Sequence, residues 1–323
     1  MNQDDYDRLV EPHRAELRAH CYRMLGSAHD AEDALQETML RAWRALPQFE
    51  GRGSVRSWLY TIATNVCLKA IERRPKLVLP IDYGPASDPH DGPGPPLVES
   101  VWVEPYPDAQ LALADGIAGP EARYEQRESV ELAFIAALQH LPARQRAVLI
   151  LRDVLGFSAR EVGATLDATP ASIDTALGRA RRTVEERLPA RSQQATLREL
   201  GDVRLRELVG EFVAAWERAD VDAVVGLLTD DAVIAMPPRA SWFRGREAVA
   251  TFLRGWPLAP GARWRLVPTS ANGQPAVGEY LWDRDSERFV AHAITVLTLD
   301  GSRIADITGF IGDEGFERFG LPR

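Results

Sequence analysis

Apolar side chains recur at three-to-four-residue spacing from the start of the chain: Tyr6, Leu9, Val10, Leu17, Cys21, Met24 and Leu25 form one stripe, closed by Gly26-Ser27. That is the period of an amphipathic helix. A second stripe, Ala31, Ala34, Leu35, Thr38, Met39, Ala42 and Trp43, predicts a helix from about Asp30 to Leu46, ended by Pro47. A third, through Trp58, Leu59, Ile62, Ala63, Val66 and Ile71, predicts a helix capped by Ser54 and running to about Arg74. The period lapses between Pro75 and Pro120 and resumes from Arg127 to Gln139 and from Ala143 to Asp153. Ser158 and Glu161 then stand at capping-box spacing, and Thr169-Pro170 supplies an N-cap and first-turn proline for a helix to about Leu188. Two short helices joined by a tight turn make a helix-turn-helix.

Past residue 195 the pattern changes. Helices are expected over about Leu197 to Arg218 and Asp222 to Leu228. Strand-like runs follow at Ala232 to Met236, Arg263 to Thr269, Ala276 to Trp282, Phe289 to Leu299 and Arg303 to Ile311. Asn272-Gly273 and Asp300-Gly301 are hairpin-turn pairs. The chain thus reads as multidomain, two all-α domains followed by an α+β domain, divided at 1–75, 76–125, 126–192 and 196–323.

Composition changes this picture in one place. The net charge of −9 over 323 residues argues at first against a nucleic-acid binder. Residues 77–125 alone contribute −8, however, and ten of the 22 prolines lie between Pro75 and Pro120. Such a stretch is expected to bury too little apolar surface to order itself and reads as an acidic linker. The two cysteines, Cys21 and Cys67, have no CxxC spacing and sit in separate apolar contexts, so neither a disulfide framework nor a metal site is expected. The acidic start leads into no apolar leader, and the longest apolar run, Leu132 to Leu138, is too short for a bilayer, so a cytoplasmic protein with no membrane association is expected.

Three features carry candidate chemistry. On the helix from Pro170, Ile173, Leu177, Ala180 and Val184 share one face, leaving Ser172, Thr175, Arg179, Arg181 and Arg182 free for base edges and phosphates. A solvated surface helix is the competing reading. Between Arg41 and Lys76 eight basic residues face only Glu50 and Glu72. Aromatic Trp58 and Tyr60 among Arg52, Arg56, Lys69, Arg73 and Arg74 suit single-stranded DNA, although Trp58 fits a core position as well. Third, Glu32, Asp33, Gln36 and Glu37 can present an acidic helix face to a basic partner, or simply to water.

The string His29 to Arg74 and the string Leu141 to Arg182, in that order, closely resemble regions 2 and 4 of bacterial sigma-70-family factors of the extracytoplasmic-function group. The chain is also similar to the SigG/SigJ-type subset, which carries a SnoaL-like domain after region 4. Val101-Trp102-Val103-Glu104-Pro105-Tyr106-Pro107 resembles the Trp/Pro motif of those proteins. The resemblance implies a sigma factor that directs transcription initiation, with core RNA polymerase and promoter DNA as partners and no cofactor. Asp30, Glu32, Asp33, Gln36 and Glu37 would meet the β′ clamp helices, and region 4 the β flap. The loop Phe49 to Ser57 would cradle a flipped base of the −10 element, with Arg52, Ser54, Arg56, Asn65, Lys69, Arg73 and Arg74 near the non-template strand. The −35 element would be read by Ser172, Asp174, Thr175, Arg179, Arg181 and Arg182. The resemblance leads one to expect Asn where Asp174 stands; a carboxylate could accept from cytosine but would repel phosphate. The acidic linker would thread through the polymerase.

The C-terminal part resembles the SnoaL-like, NTF2-fold family, a curved sheet around a conical cavity. Trp242, Trp256, Trp264, Tyr280, Trp282 and His292 are its candidate lining, and His292 or Asp306 the candidate acid or base were it an enzyme. No catalytic residue is assigned, because fold similarity does not carry a site with it. The expectation is a sigma factor tuned or held in check by its own C-terminal domain, with a separate anti-sigma factor or a small-molecule ligand as further candidate partners. The Asn272-Gly273-Gln274-Pro275 turn lies where relatives contact region 2. The competing readings are a free-standing helix-turn-helix regulator with a ligand-binding domain, and a cyclase- or isomerase-class enzyme fused to a DNA-binding module.

Overall fold

The computed structural model describes residues 3–49, 54–97, 101–111 and 127–323. They divide into two compact units, and each is built from two separate stretches of chain. One comprises Met1–Leu77 and Ala109–Pro189, the other Val78–Asp108 and Ala190–Arg323. No described helix is long and apolar enough to cross a membrane.

The first unit is helical. The first expected helix is two, α1 (Gln3–Leu9) and α2 (Arg14–Leu25), because Pro12 lacks an amide hydrogen and forces a 3₁₀ turn at Glu11–His13. Helix α3 (Ala28–Ala45) starts two residues early, its N-cap being Ser27, which accepts from the Asp30 amide at 3.1 Å. Trp43, assigned inward from its spacing, is 43% exposed and meets Tyr6 edge-on. Helix α4 (Val55–Ile71) is capped by Ser54, which accepts from the Ser57 amide at 3.0 Å. Cys21 of α2 and Cys67 of α4 are both fully buried and in thiol-to-thiol contact, which with burial pushes the Cys67 thiol up. The separate contexts expected of them are therefore one.

The rest of this unit runs through α6 (Leu132–Gln139), α7 (Ala143–Leu149), a π-helical turn (Ile150–Val154), α8 (Ala159–Leu166) and α9 (Pro170–Glu185); the intervening α5 (Pro80–Tyr83) belongs to the second unit. Both sides of the Ser158/Glu161 capping box are formed. Gly163 of α8 is fixed by the turn that follows it, since a Cβ there would lie 2.5 Å from the Ala168 carbonyl oxygen, a backbone atom. Gly163→Ala is therefore expected to destabilise the helix-turn-helix by about 1–3 kcal/mol through overpacking. Thermal melts should detect the loss; an unchanged melting temperature would contradict the close approach.

In the second unit α10 (Gln193–Leu200) and α11 (Asp202–Glu217) replace one expected helix, divided at Gly201 with φ of 76°. Helix α12 (Val221–Gly226) and α13 (Arg246–Gly255) follow, the latter, with strand β2, not evident from pattern alone. Strands β1 (Leu228–Ala235), β2 (Trp242–Arg244), β3 (Trp264–Ala271), β4 (Gln274–Asp283), β5 (Arg288–Asp300) and β6 (Arg303–Ile311) form one mixed sheet in the order β2-β1-β6-β5-β4-β3. Only β1 and β6 are parallel. One face packs on α11, α12 and α13 through Phe212, Trp216, Val224, Phe252, Val277, Leu297 and Ile307. Asn272 and Gly273 take φ of 57° and 69° in the β3–β4 hairpin, the left-handed geometry such a turn requires.

The proline-rich stretch is the largest departure from expectation. Its described residues within 78–97 and 101–108 are docked along the C-terminal domain, with Val101, Trp102, Val103 and Tyr106 buried. Trp102 Nε1 donates to the Pro238 carbonyl at 3.1 Å, and Tyr106 and Asn272 exchange bonds of 2.9 and 3.0 Å. The Asp108 carboxylate accepts from the Gly273 amide at 2.7 Å. The Asn272-Gly273 turn thus grips the linker. An average over the whole stretch hid one short apolar cluster, Val101 to Tyr106.

Candidate nucleic-acid and polymerase interface

Helix α3 displays one exposed line, Asp33, Gln36 and Leu40, flanked by Glu37, because residues three, four and seven apart share a helix face. Glu32 is tied to Arg18 at 2.7 Å, and Glu37 to Arg41 at 2.6 Å. Asp30 does not belong to this surface. It is buried and paired with Arg74, where the N-terminal turn of α3 faces the end of α4. Leu40, 43% exposed, is a member that charge-based reading misses; its signal was an apolar residue out of phase with the inner stripe.

On α4, Asn65 and Lys69 are exposed one turn apart, and Arg73 is exposed just past the helix end. Ser54 is exposed but committed to its cap, and Trp58 is half-buried against Phe49 at 5.0 Å. Arg52 lies outside the described residues. Two other predicted DNA contacts are occupied: Arg74 by Asp30, and Arg56 by Glu16, whose carboxylate accepts from Arg56 Nε at 3.1 Å.

On α9 Ile173, Leu177, Ala180 and Val184 are buried, and all six predicted −35 residues are exposed. They fall on two lines. Ser172, Thr175, Arg179 and Arg182 share one, and among the described residues the two arginines have no ion-pair partner. Asp174 and Arg181, seven apart, share the other and turn to the preceding π-helical turn. There Arg181 makes a bidentate pair with Asp153 at 2.7 and 2.8 Å, and Asp174 lies 3.6 Å from Arg152. The Asp174 carboxylate thus lies within ion-pair range of an arginine of its own domain.

In the second unit the predicted pocket residues separate. Trp264 and His292 meet edge-on at 5.2 Å on the helix-facing side of the sheet, where burial holds the imidazole below its usual range. Trp242 clusters with Val233 and Ala235 apart from that core and donates to the Gly84 carbonyl at 2.8 Å. Tyr280 packs on Phe316 of the C-terminal tail, Trp282 pairs with Phe289, and Trp256 is 48% exposed. Trp242, Tyr280 and Trp282 therefore do not line the concave side, because alternate strand residues point to opposite faces, and Trp256 caps the end of α13 instead. Asp306, pushed up to about 6 by burial and Asp231, is in register with Val233 on that opposite face. It cannot form a dyad with His292.

The interior acid is Glu279, which sequence reasoning missed although a glutamate among Val277, Tyr280 and Leu281 was its signal. It alternates with Val277 and Leu281 on the core side, is 5% exposed, and is pushed up to about 7 by burial, opposed by a hydrogen bond from Thr295. Its Oε1 and the Trp216 indole N–H are buried without partners. Among the described residues no group of three His, Cys, Asp or Glu is placed to hold a metal.

An acidic helix face, a basic helix and a helix-turn-helix within one unit, joined to a curved-sheet domain, define a DNA-directed regulator of transcription. The chain matches sigma-70 region 2 over residues 9–76, sigma-70 region 4 over residues 131–184 and the SnoaL-like domain over residues 209–307. It is 39% identical to the ECF RNA polymerase sigma factor SigG of Mycobacterium tuberculosis (strain ATCC 25618 / H37Rv) over 98% of this chain and 84% of that protein. It is 30% identical to the ECF RNA polymerase sigma factor SigE of Mycolicibacterium smegmatis over 58% of this chain and 63% of that one. The crystal structure of the Mycobacterium tuberculosis extracytoplasmic function sigma factor SigJ superposes with a TM-score of 0.62 at 21% identity, covering 99% and 100% of the two chains, and so shares the fold. The chain belongs to the extracytoplasmic-function sigma factors, which direct promoter recognition in transcription initiation.

Proposed function

We propose that this sigma factor docks core RNA polymerase through Asp33, Gln36, Glu37 and Leu40 and approaches the −10 strand with Asn65, Lys69 and Arg73. At the −35 major groove it uses Ser172, Thr175, Arg179 and Arg182. Asp174 and Arg181 serve to hold the recognition helix against the turn before it. The observation that carries this reading is the pair of exposed faces on α4 and α9 that remain after the internal ion pairs are subtracted. Both sit in the unit that also presents the acidic face of α3. We read the C-terminal domain as regulatory rather than catalytic, since His292 and Asp306 lie on opposite faces of the sheet. Its partner would be a small ligand or a separate anti-sigma protein.

The test is a pull-down with core polymerase, followed by run-off transcription from genomic fragments that the holoenzyme retains. Charge reversal at Asp33 and Glu37 together is expected to reduce polymerase association at least tenfold while leaving the fold intact, because both side chains are surface-exposed or half-exposed. A free-standing helix-turn-helix regulator has no use for that face. Undiminished promoter-directed activity in the reversed variant would favour that alternative.

A further inference from the structure

The residues that follow α4 and the turn between α6 and α7 line a cavity of about 360 Å³ in the helical unit. Part of its wall is apolar, from Leu25, Ile71 and Leu77, and its charged lining is unbalanced. Arg74, Lys76 and Arg146 bring three cations against one carboxylate, Asp30, which pairs with Arg74. Lys76 has only donors, so its 2.8 Å contact with His140 Nδ1 is a bond to an unprotonated nitrogen, and that ring adds no fourth cation. Arg146 is the unusual member, being only 5% exposed. Its Nη1 donates to the Met24 carbonyl and to Gln139 Oε1, and its Nη2 to the Gln139 and Leu141 carbonyls at 3.2 and 3.3 Å. All four acceptors are neutral. Nε is buried without a hydrogen-bond partner, and among the described residues no carboxylate pairs with this guanidinium. Burial pulls its pKa down to about 10, so the charge is kept at neutral pH.

A buried cation answered only by dipoles is short of a counter-ion, because desolvation of the charge is repaid in full only by an opposite one. The lining as a whole is short of two. That deficit matches a phosphate group, which carries about −1.5 to −2 at pH 7 and offers three strong acceptor oxygens. A monocarboxylate would leave one charge unanswered. The volume is that of a small-ligand site, and the apolar wall can take an organic body. We propose that this cavity binds a phosphate dianion, free or as the head group of a small metabolite, held by Arg146, Lys76 and Arg74. The inference goes beyond the promoter reading and does not depend on it: it adds an effector site to the unit that carries the DNA-facing helices.

The test is calorimetric titration of the full-length chain with inorganic phosphate and, separately, with AMP, at an ionic strength held constant with sodium chloride so that general screening is the same throughout. Saturable one-to-one binding is expected, with adenosine at least tenfold weaker than AMP. Tighter binding of AMP than of phosphate would identify a metabolite head group as the occupant, and equal affinity free phosphate; either supports the site. Arg146→Met is expected to weaken binding at least tenfold. That variant also strips four hydrogen bonds from the core, so Lys76→Glu, at an exposed position, decides the matter if it does not fold. Lys76→Glu is expected to weaken binding at least tenfold as well. No saturable binding of either anion would overturn the proposal, and so would an affinity in Lys76→Glu within twofold of wild type. Binding of single-stranded DNA that Lys76→Glu weakens, with neither small anion bound, would make these cations a backbone contact and equally overturn it.

Discussion

Replacing Tyr106 with alanine is expected to release Val78–Asp108 from the C-terminal domain and to raise native-state proteolysis of that segment at least a hundredfold. Tyr106 is fully buried, and its backbone is fixed on both sides by Asn272. Deleting a buried aromatic of this size costs about 3–5 kcal/mol. A local opening equilibrium changes tenfold for roughly every 1.4 kcal/mol, and cleavage of a reversibly opened segment follows that equilibrium. Limited proteolysis of the full chain, followed by mass spectrometry of the first cut, measures it directly. A rise of less than threefold would mean that Trp102, with its bond to Pro238, and the Asp108–Gly273 contact suffice to hold the segment.

The second large effect is a pH dependence set by Glu279. Its carboxyl is pushed from the ordinary 4.5 up to about 7 inside the domain. Between those values the folded chain holds a proton that the unfolded chain has released. The resulting stability is fully present below about pH 4.5 and is lost as pH rises through about 7. The loss amounts to about 3 kcal/mol by pH 8, at 1.36 kcal/mol per pH unit of displacement. Glu279→Gln is neutral at every pH and should flatten this slope, making the variant more stable than the parent at pH 8 by about 2–3 kcal/mol. Urea unfolding at pH 5 and pH 8, followed through tryptophan fluorescence, tests it. An equal pH slope in parent and variant would assign the dependence to other groups.

Much of the helical architecture was legible from local rules. Caps at Ser54, Ser158 and Thr169 were readable because an N-cap acts on the next three residues. The buried face of α9 followed from helical period alone. Tertiary pairing was less accessible. Nothing in the spacing of Asp30 and Arg74, or of Asp174 and Arg152, announces an ion pair, and the resemblance assigned three of the four to DNA or polymerase. The strands were placed to within a few residues, but the side to which each aromatic points depends on register and on the bulge between Glu279 and Tyr280. That is why Trp242 and Tyr280 were grouped with Trp264. The sequence signal of Glu279 is a charge in an otherwise apolar strand, which helical or strand period alone does not single out.

The docked linker has a consequence for synthesis. Tyr106 leaves the ribosome 166 residues ahead of Asn272, the residue that fixes its backbone. At roughly 5–20 residues per second, its apolar anchors wait roughly 10–30 s for the surface that covers them. During that interval the helices of the first unit can assemble around a loop whose destination does not yet exist, so the second unit closes only after the β3–β4 hairpin has emerged.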